Sequence, residues 1–193
     1  MKAFILEKYG PPEVLQMAEV EKPAPAADEA LVKVLAVSVN PADWHSMRGK
    51  PQFSRATLGL RRPKHQLLGV DIAGKVEAVG PEVSRFQPGD AVFGWCDGSF
   101  AEYVLAPEIH LAAMPANVSF EQAAVVPISG FAALQALRDV GRVQPGQRVL
   151  VIGAAGAVGS FAVQLAKAFG ATVTGVAGTG WSMARNSRVS VSP

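Results

Sequence analysis

Apolar and polar residues alternate in short runs along the first part of the chain. In 70–79, Val70, Ile72, Val76 and Ala78 alternate with Asp71, Lys75 and Glu77, the period of a strand with one buried face. Residues 2–8, 31–40, 90–95 and 99–106 read as further strands. Turn chemistry separates them: Gly80-Pro81, Pro88-Gly89-Asp90 and Asp97-Gly98. Many short strands punctuated this way predict a small barrel. Residues 41–68 break the pattern and carry Trp44, His45 and Phe53. A segment this long and irregular is either a functional loop or a loop with one short helix packing Trp44 inward, and both readings stay open.

After Pro115 the period changes. Residues 120–137 are alanine-rich and helical, interrupted near Pro127 and Gly130. A Pro145-Gly146 turn leads into 148–152, a continuous apolar run like a buried parallel strand. Residues 156–169 have helical period, with Val158, Ala162, Leu165 and Phe169 on one stripe, and Gly170 is placed to stop the helix. Residues 172–176 read as the next strand. The sum is one β-α-β unit. From Gly178 onward the sequence is rich in serine and arginine and has no apolar stripe.

The first turn of that unit is Gly153-Ala-Ala-Gly-Ala-Val-Gly159. Between a strand and a helix, three glycines have separate physical jobs. Gly153 permits the tight turn, Gly156 lets backbone N–H groups approach a pyrophosphate, and Gly159 lets the helix pack close to the strand. The competing reading is a glycine-rich turn that only packs. An acid at the end of the next strand would bond the adenine ribose of NAD and repel the 2′-phosphate of NADP. Here that strand ends Val176-Ala177-Gly178-Thr179 without an acid, which favours NADP. The expected cofactor contacts are Gly153, Ala155, Gly156, Ala157, Val158, Gly159 and Thr179.

Composition narrows the classes. A chain of 193 residues suits one domain and part of another, and 49% apolar content suffices for a core. A net charge of +2 without a Lys/Arg block gives no footprint for nucleic acid. The densest basic cluster, Arg61, Arg62 and Lys64, reads as a solvated loop. Cys96 is the one cysteine, so neither an intrachain disulfide nor a multi-cysteine zinc site is available, and a reducing cytoplasm fits. Residues 149–166 carry no charge and mimic a membrane span, but their glycines with Ser160 and Gln164 favour a strand–turn–helix. The apolar run at 3–6 is too short for a secretory signal.

These motifs together resemble the medium-chain dehydrogenase/reductase superfamily, in its zinc-free quinone oxidoreductase-like branch. The carrying residues are Ser38-Val-Asn-Pro-Ala-Asp43 with Arg48-Gly49, Leu68-Gly-Val-Asp-Ile-Ala-Gly74, Val76-Glu-Ala-Val-Gly80, Pro88-Gly-Asp-Ala-Val-Phe-Gly94, Gly98-Ser-Phe-Ala-Glu-Tyr103 and 145–159, in the family's order. The resemblance implies a β-rich GroES-like barrel over 1–118, a partial NADP-binding Rossmann domain of one β-α-β unit over 119–177, and a non-homologous, disordered tail over 178–193. It implies hydride transfer from NADPH to a quinone, enone or related carbonyl. It also implies that the chain is truncated at its C-terminus, without the family's dimer edge, so that a non-catalytic binding or assembly module is the alternative function.

The zinc branch would place cysteine at Asn40, a His-Glu pair at Val70-Asp71 and a further ligand near Ile128; none is present, so no metal is expected. The resemblance puts Asn40 near the nicotinamide ribose or the substrate oxygen, able to donate a hydrogen bond; its other role would be to hold the loop. His45 falls where relatives carry a pocket-lining tyrosine. It would polarise a carbonyl or deliver a proton, or else be a satisfied surface histidine. Ala132 replaces a threonine that relatives place on the nicotinamide. Asp43 is expected to cap a short helix. The expected partner is a small carbonyl or quinone, with no nucleic acid and no membrane, in the cytoplasm.

Overall fold

The computed structural model describes residues 1–178. The chain divides into two compact units, the first Met1–Pro127 and the second from Ile128 onward. Thr179 and nearly all of the expected tail lie outside the described residues.

The first unit begins with a hairpin of β1 (Lys2–Leu6) and β2 (Leu15–Glu19). A five-stranded antiparallel sheet follows, built from β3 (Glu29–Val37), β4 (Asp71–Val79), β5 (Ala91–Trp95), β6 (Tyr103–Pro107) and β7 (Leu111–Ala113) in the order β6-β3-β4-β5-β7. Val32, Ile72, Val76, Val92, Val104 and Leu111 point to one side and form its core with Phe86 and Cys96. The register of β3 on β4 shifts at Leu31/Val32 and again at Val34/Ala36. Such bulges raise local twist and let a short sheet curl.

The irregular segment 41–68 contains two helices, α1 (Pro41–Arg48) and α2 (Arg55–Leu58). Pro41 presets the first helical φ, and Gly49, at φ 57°, closes α1 in the left-handed region. Trp44 does not pack inward: it is 44% exposed, with the Arg48 guanidinium 4.7 Å from its ring centre. α3 (Phe120–Ala124) opens with a reciprocal cap between Ser119 and Gln122 and lays Ala123 and Ala124 against Ala73 of β4. That contact covers the second face of β4, which the alternation pattern left to solvent. Asp71, placed by that pattern on the polar face, is fully buried. Strands β2 and β7 are additions to the sequence reading.

The second unit carries α4 (Pro127–Gln135), continued by a π-helical turn over Ala136–Val140. Then come β8 (Arg148–Ile152), α5 (Ala157–Ala168) and β9 (Thr172–Val176). β8 and β9 pair in parallel from Arg148↔Thr172 to Ile152↔Val176. α5 packs on this pair, and burial alternates along both strands. Val149, Val151 and Val173 are covered; Leu150 and Ile152 are 61% and 80% exposed. The expected apolar stripe of α5 holds at Ala162, Leu165 and Phe169, joined by fully buried Ala166. It fails at Val158, 44% exposed, because that residue lies in the first turn beyond the strand ends.

Candidate functional site

In the first unit the expected residues gather where β3 runs into α1. Asn40 is buried, and its amide nitrogen Nδ2 donates to Asp71 Oδ2 at 3.0 Å and to Ser38 Oγ at 3.1 Å. Ser38 Oγ in turn donates to the same Asp71 oxygen at 2.6 Å. The backbone N–H of Asn40 donates to Asp43 Oδ2 at 2.7 Å. Asp43 thus sits three residues into α1 and caps backward, as expected for a capping role. Burial pushes the Asp43 carboxyl above its ordinary range. Hydrogen bonds from the backbone of Asn40 and Gly69 oppose the shift, and the neighbouring Asp71 charge adds to it.

His45 stands on the same helix but apart from this cluster. It is exposed, edge-on to Trp44 with ring centres 5.0 Å apart, and its Nδ1 lies 3.1 Å from the carbonyl oxygen of Lys50. A carbonyl only accepts, so Nδ1 is the donor in this contact. The structure therefore does not bring His45 onto the Asn40 group. Sequence reasoning gave no role to Ser38 or Asp71, although both lie in quoted motifs. The available signal was an acid set directly between Val70 and Ile72.

In the second unit the loop 153–159 is tied down by its own backbone. The N–H groups of Gly153 and Ala154 both donate to the carbonyl of Val176, at 2.9 and 3.0 Å, and Gly156 N donates to Gly153 O at 2.9 Å. The amides of Ala157, Val158 and Gly159 are the first of α5, and a helix supplies no internal partner for these. They, rather than the N–H of Gly156, are the donors at the positive end of the helix dipole. Gly153 adopts φ 79°, a conformation that favours glycine. A Cβ on Gly159 would overlap the Gly153 carbonyl oxygen and lie 2.8 Å from its carbon and 2.9 Å from Ala154 Cα. The third glycine thus lets the first turn of α5 lie close against the backbone that leaves β8.

Elsewhere in the first unit a groove of about 460 Å³, lined by Phe4, Met17, Leu35, Val37 and Phe100, holds none of the expected site residues. A smaller cavity of about 140 Å³ touches Tyr9, Asp43, Ser46 and His65. Cys96 is buried in the core, and burial pushes its thiol up to about 12, so it is no nucleophile at neutral pH. Among the described residues no group of three or more His, Cys, Asp or Glu is gathered as metal ligands, and no helix is long and apolar enough to cross a membrane.

The two parts define a class: a curled antiparallel sheet followed by a β-α-β unit with a glycine-rich first turn. The alcohol dehydrogenase GroES-like domain family matches residues 26–116. The chain is 39% identical over 182 residues to the quinone oxidoreductase of Pongo abelii, covering 93% of this chain and 53% of that protein. Among solved structures, the CurK enoyl reductase superposes with a TM-score of 0.85 at 30% identity, covering 92% of this chain and 54% of the other. The Escherichia coli quinone oxidoreductase complexed with NADPH gives 0.80 at 32% identity, covering 93% and 53%. The chain belongs to the medium-chain dehydrogenase/reductase superfamily, and its barrel and β-α-β unit are the expected fold. It spans about half the length of the relatives it matches.

Proposed function

We propose that this chain carries the substrate domain and the pyrophosphate loop of an NADPH-dependent, zinc-free oxidoreductase acting on a quinone, enone or related carbonyl. The observation that carries the reading is the loop. Three helix-start amides stand free of internal helix partners, and the lack of a side chain at Gly159 lets α5 start close against Gly153 and Ala154. The absence of an acid at the end of β9 favours NADPH over NADH. When bound, the nicotinamide supplies the hydride. Asn40 then meets the nicotinamide ribose or the carbonyl oxygen. His45, once protonated, serves as a donor at the substrate. Zinc-free chemistry is supported by the donor set at the positions the zinc branch uses. An asparagine amide nitrogen and a valine bind no metal, and Asp71 is engaged with both Ser38 and Asn40.

Titration of the purified chain with NADPH and NADH tests this. A dissociation constant for NADPH tighter than ~100 μM, about 5.5 kcal/mol, with weaker binding of NADH, is the expected result. A second reading, a folded barrel acting as a binding or assembly module, is favoured by the outward faces of Leu150 and Ile152, which leave the sheet of the nucleotide unit open on one side. Hydride transfer needs a water-excluding enclosure. Reduction of 9,10-phenanthrenequinone by this chain is therefore expected to be negligible, and turnover within tenfold of a full-length relative would refute that expectation. No NADPH binding together with a cooperative melt would establish the second reading.

A further inference from the structure

We propose that Asp71 is a positioning residue for Asn40, one that fixes which end of the Asn40 amide faces the protein. The inference rests on the reading that Asn40 meets the cofactor or substrate. An ionised carboxylate only accepts hydrogen bonds, and a carboxamide has a donor end and an acceptor end of nearly the same shape. Asp71 Oδ2 lies 3.0 Å from Asn40 Nδ2, and Asp71 is fully buried. Turning the amide over would set Oδ1 against Oδ2, two acceptors without a proton between them, where water cannot screen them. Ser38 cannot enforce this alone. Its hydroxyl both donates and accepts, so it would tolerate either end of the amide. Its proton, however, is committed to Asp71 at 2.6 Å, and this turns its lone pairs toward Asn40 at 3.1 Å. The carboxylate therefore orients both neighbours.

Asp43 is the other acid at this place. It holds Asn40 chiefly through the backbone N–H, at 2.7 Å, and so fixes where the residue sits rather than which end of the amide points where. Ser38 and Asn40 lie in the connection from β3 to α1, and Asp71 opens β4. Their meeting joins the expected contact residue to the central strand of the sheet.

The test is nuclear magnetic resonance of the Asn40 side-chain ¹⁵NH₂ group in the full chain. In the parent protein one Nδ2 proton is expected downfield and slow to exchange. Asp71→Asn should abolish the downfield shift and raise exchange at least tenfold, and Ser38→Ala, which keeps the carboxylate, should preserve the downfield proton. An unchanged Asn40 signal in Asp71→Asn, or its loss in Ser38→Ala as well, overturns the proposal. If Asp71→Asn does not fold, the parent decides: a scalar coupling across the hydrogen bond from Asn40 Nδ2 to the Asp71 carboxyl carbon is expected, and its absence overturns the proposal. A merely structural role for Asp71 would lower the melting temperature without altering the amide signal. Addition of NADPH is the separate arm. An Asn40 signal that depends on Asp71 but does not move with NADPH keeps the positioning and removes the assumed contact with cofactor.

Discussion

Replacing Gly159 by alanine tests the packing argument for the glycine loop. A Cβ there meets backbone atoms only: the Gly153 carbonyl, 2.8 Å at its carbon, and Ala154 Cα at 2.9 Å. No flexible side chain can swing away, so the first turn of α5 must move off the backbone of Gly153 and Ala154. Overpacking costs about 1–3 kcal/mol, here about 2–3 kcal/mol because backbone is met, and the better helix propensity of alanine returns about 1 kcal/mol. A net loss of about 1–2 kcal/mol follows, or a 5- to 30-fold larger opening constant for the unit. Gly156→Ala is the control. Its Cβ would meet only Gly153 O, at 3.3 Å, in an ordinary extended conformation with φ −78°, so its cost is about 0.5 kcal/mol. The assay is amide hydrogen exchange at Arg148–Ile152, which reports opening of the second unit without interference from the first. Protection in Gly159→Ala within twofold of the parent, or an equal loss in Gly156→Ala, would refute the reasoning.

Three further outcomes follow from the structure. Ile152→Lys should change stability by no more than about 0.5 kcal/mol and reduce self-association in sedimentation velocity, because the side chain faces outward; unfolding of the second unit would show that this face is covered. The Cys96 thiol is raised from 9.0 to about 12, so the unfolded chain ionises first, and the stability held below pH 9 should fall as pH rises toward 12. Urea melts of the parent and Cys96→Ala across that range should converge, and parallel curves would sink the argument. Asp43 is also raised, from 3.8, so its contribution is full below that value and is lost as pH rises above it. Relative to the parent, Asp43→Asn should gain stability over the same rise, and a pH-independent difference would count against burial as the cause.

Much of this architecture is legible without coordinates because its signals are local. Strands β8 and β9 coincide with 148–152 and 172–176, which the glycine turns at Gly146, Gly153 and Gly170 and the helical period between them set apart in the sequence. Pro41 and Gly49 bracket α1 by the chemistry of helix ends, although the segment lacks an apolar stripe. β2 escaped because Leu15–Glu19 mixes polar and apolar residues, and its strand character comes from pairing with β1. β7 is three residues long, below any periodicity. Asp71 was misplaced for a different reason. Its place in the interior is met by Ser38 and Asn40, partners 33 and 31 residues away. Alternation reports what a strand would do if one of its faces were wet. The Ser38–Asn40–Asp71 grouping and the isolation of His45 are properties of the folded chain alone.

The carbonyl of Val176 accepts from both Gly153 and Ala154. The shape of the phosphate loop is thus stored partly in the neighbouring strand, as a template holds a bent wire. A family that keeps all three glycines can still retune its cofactor grip by altering the last residue of β9 or the angle at which that strand ends. Comparison of glycine patterns alone would miss such divergence, because the altered position lies outside the motif.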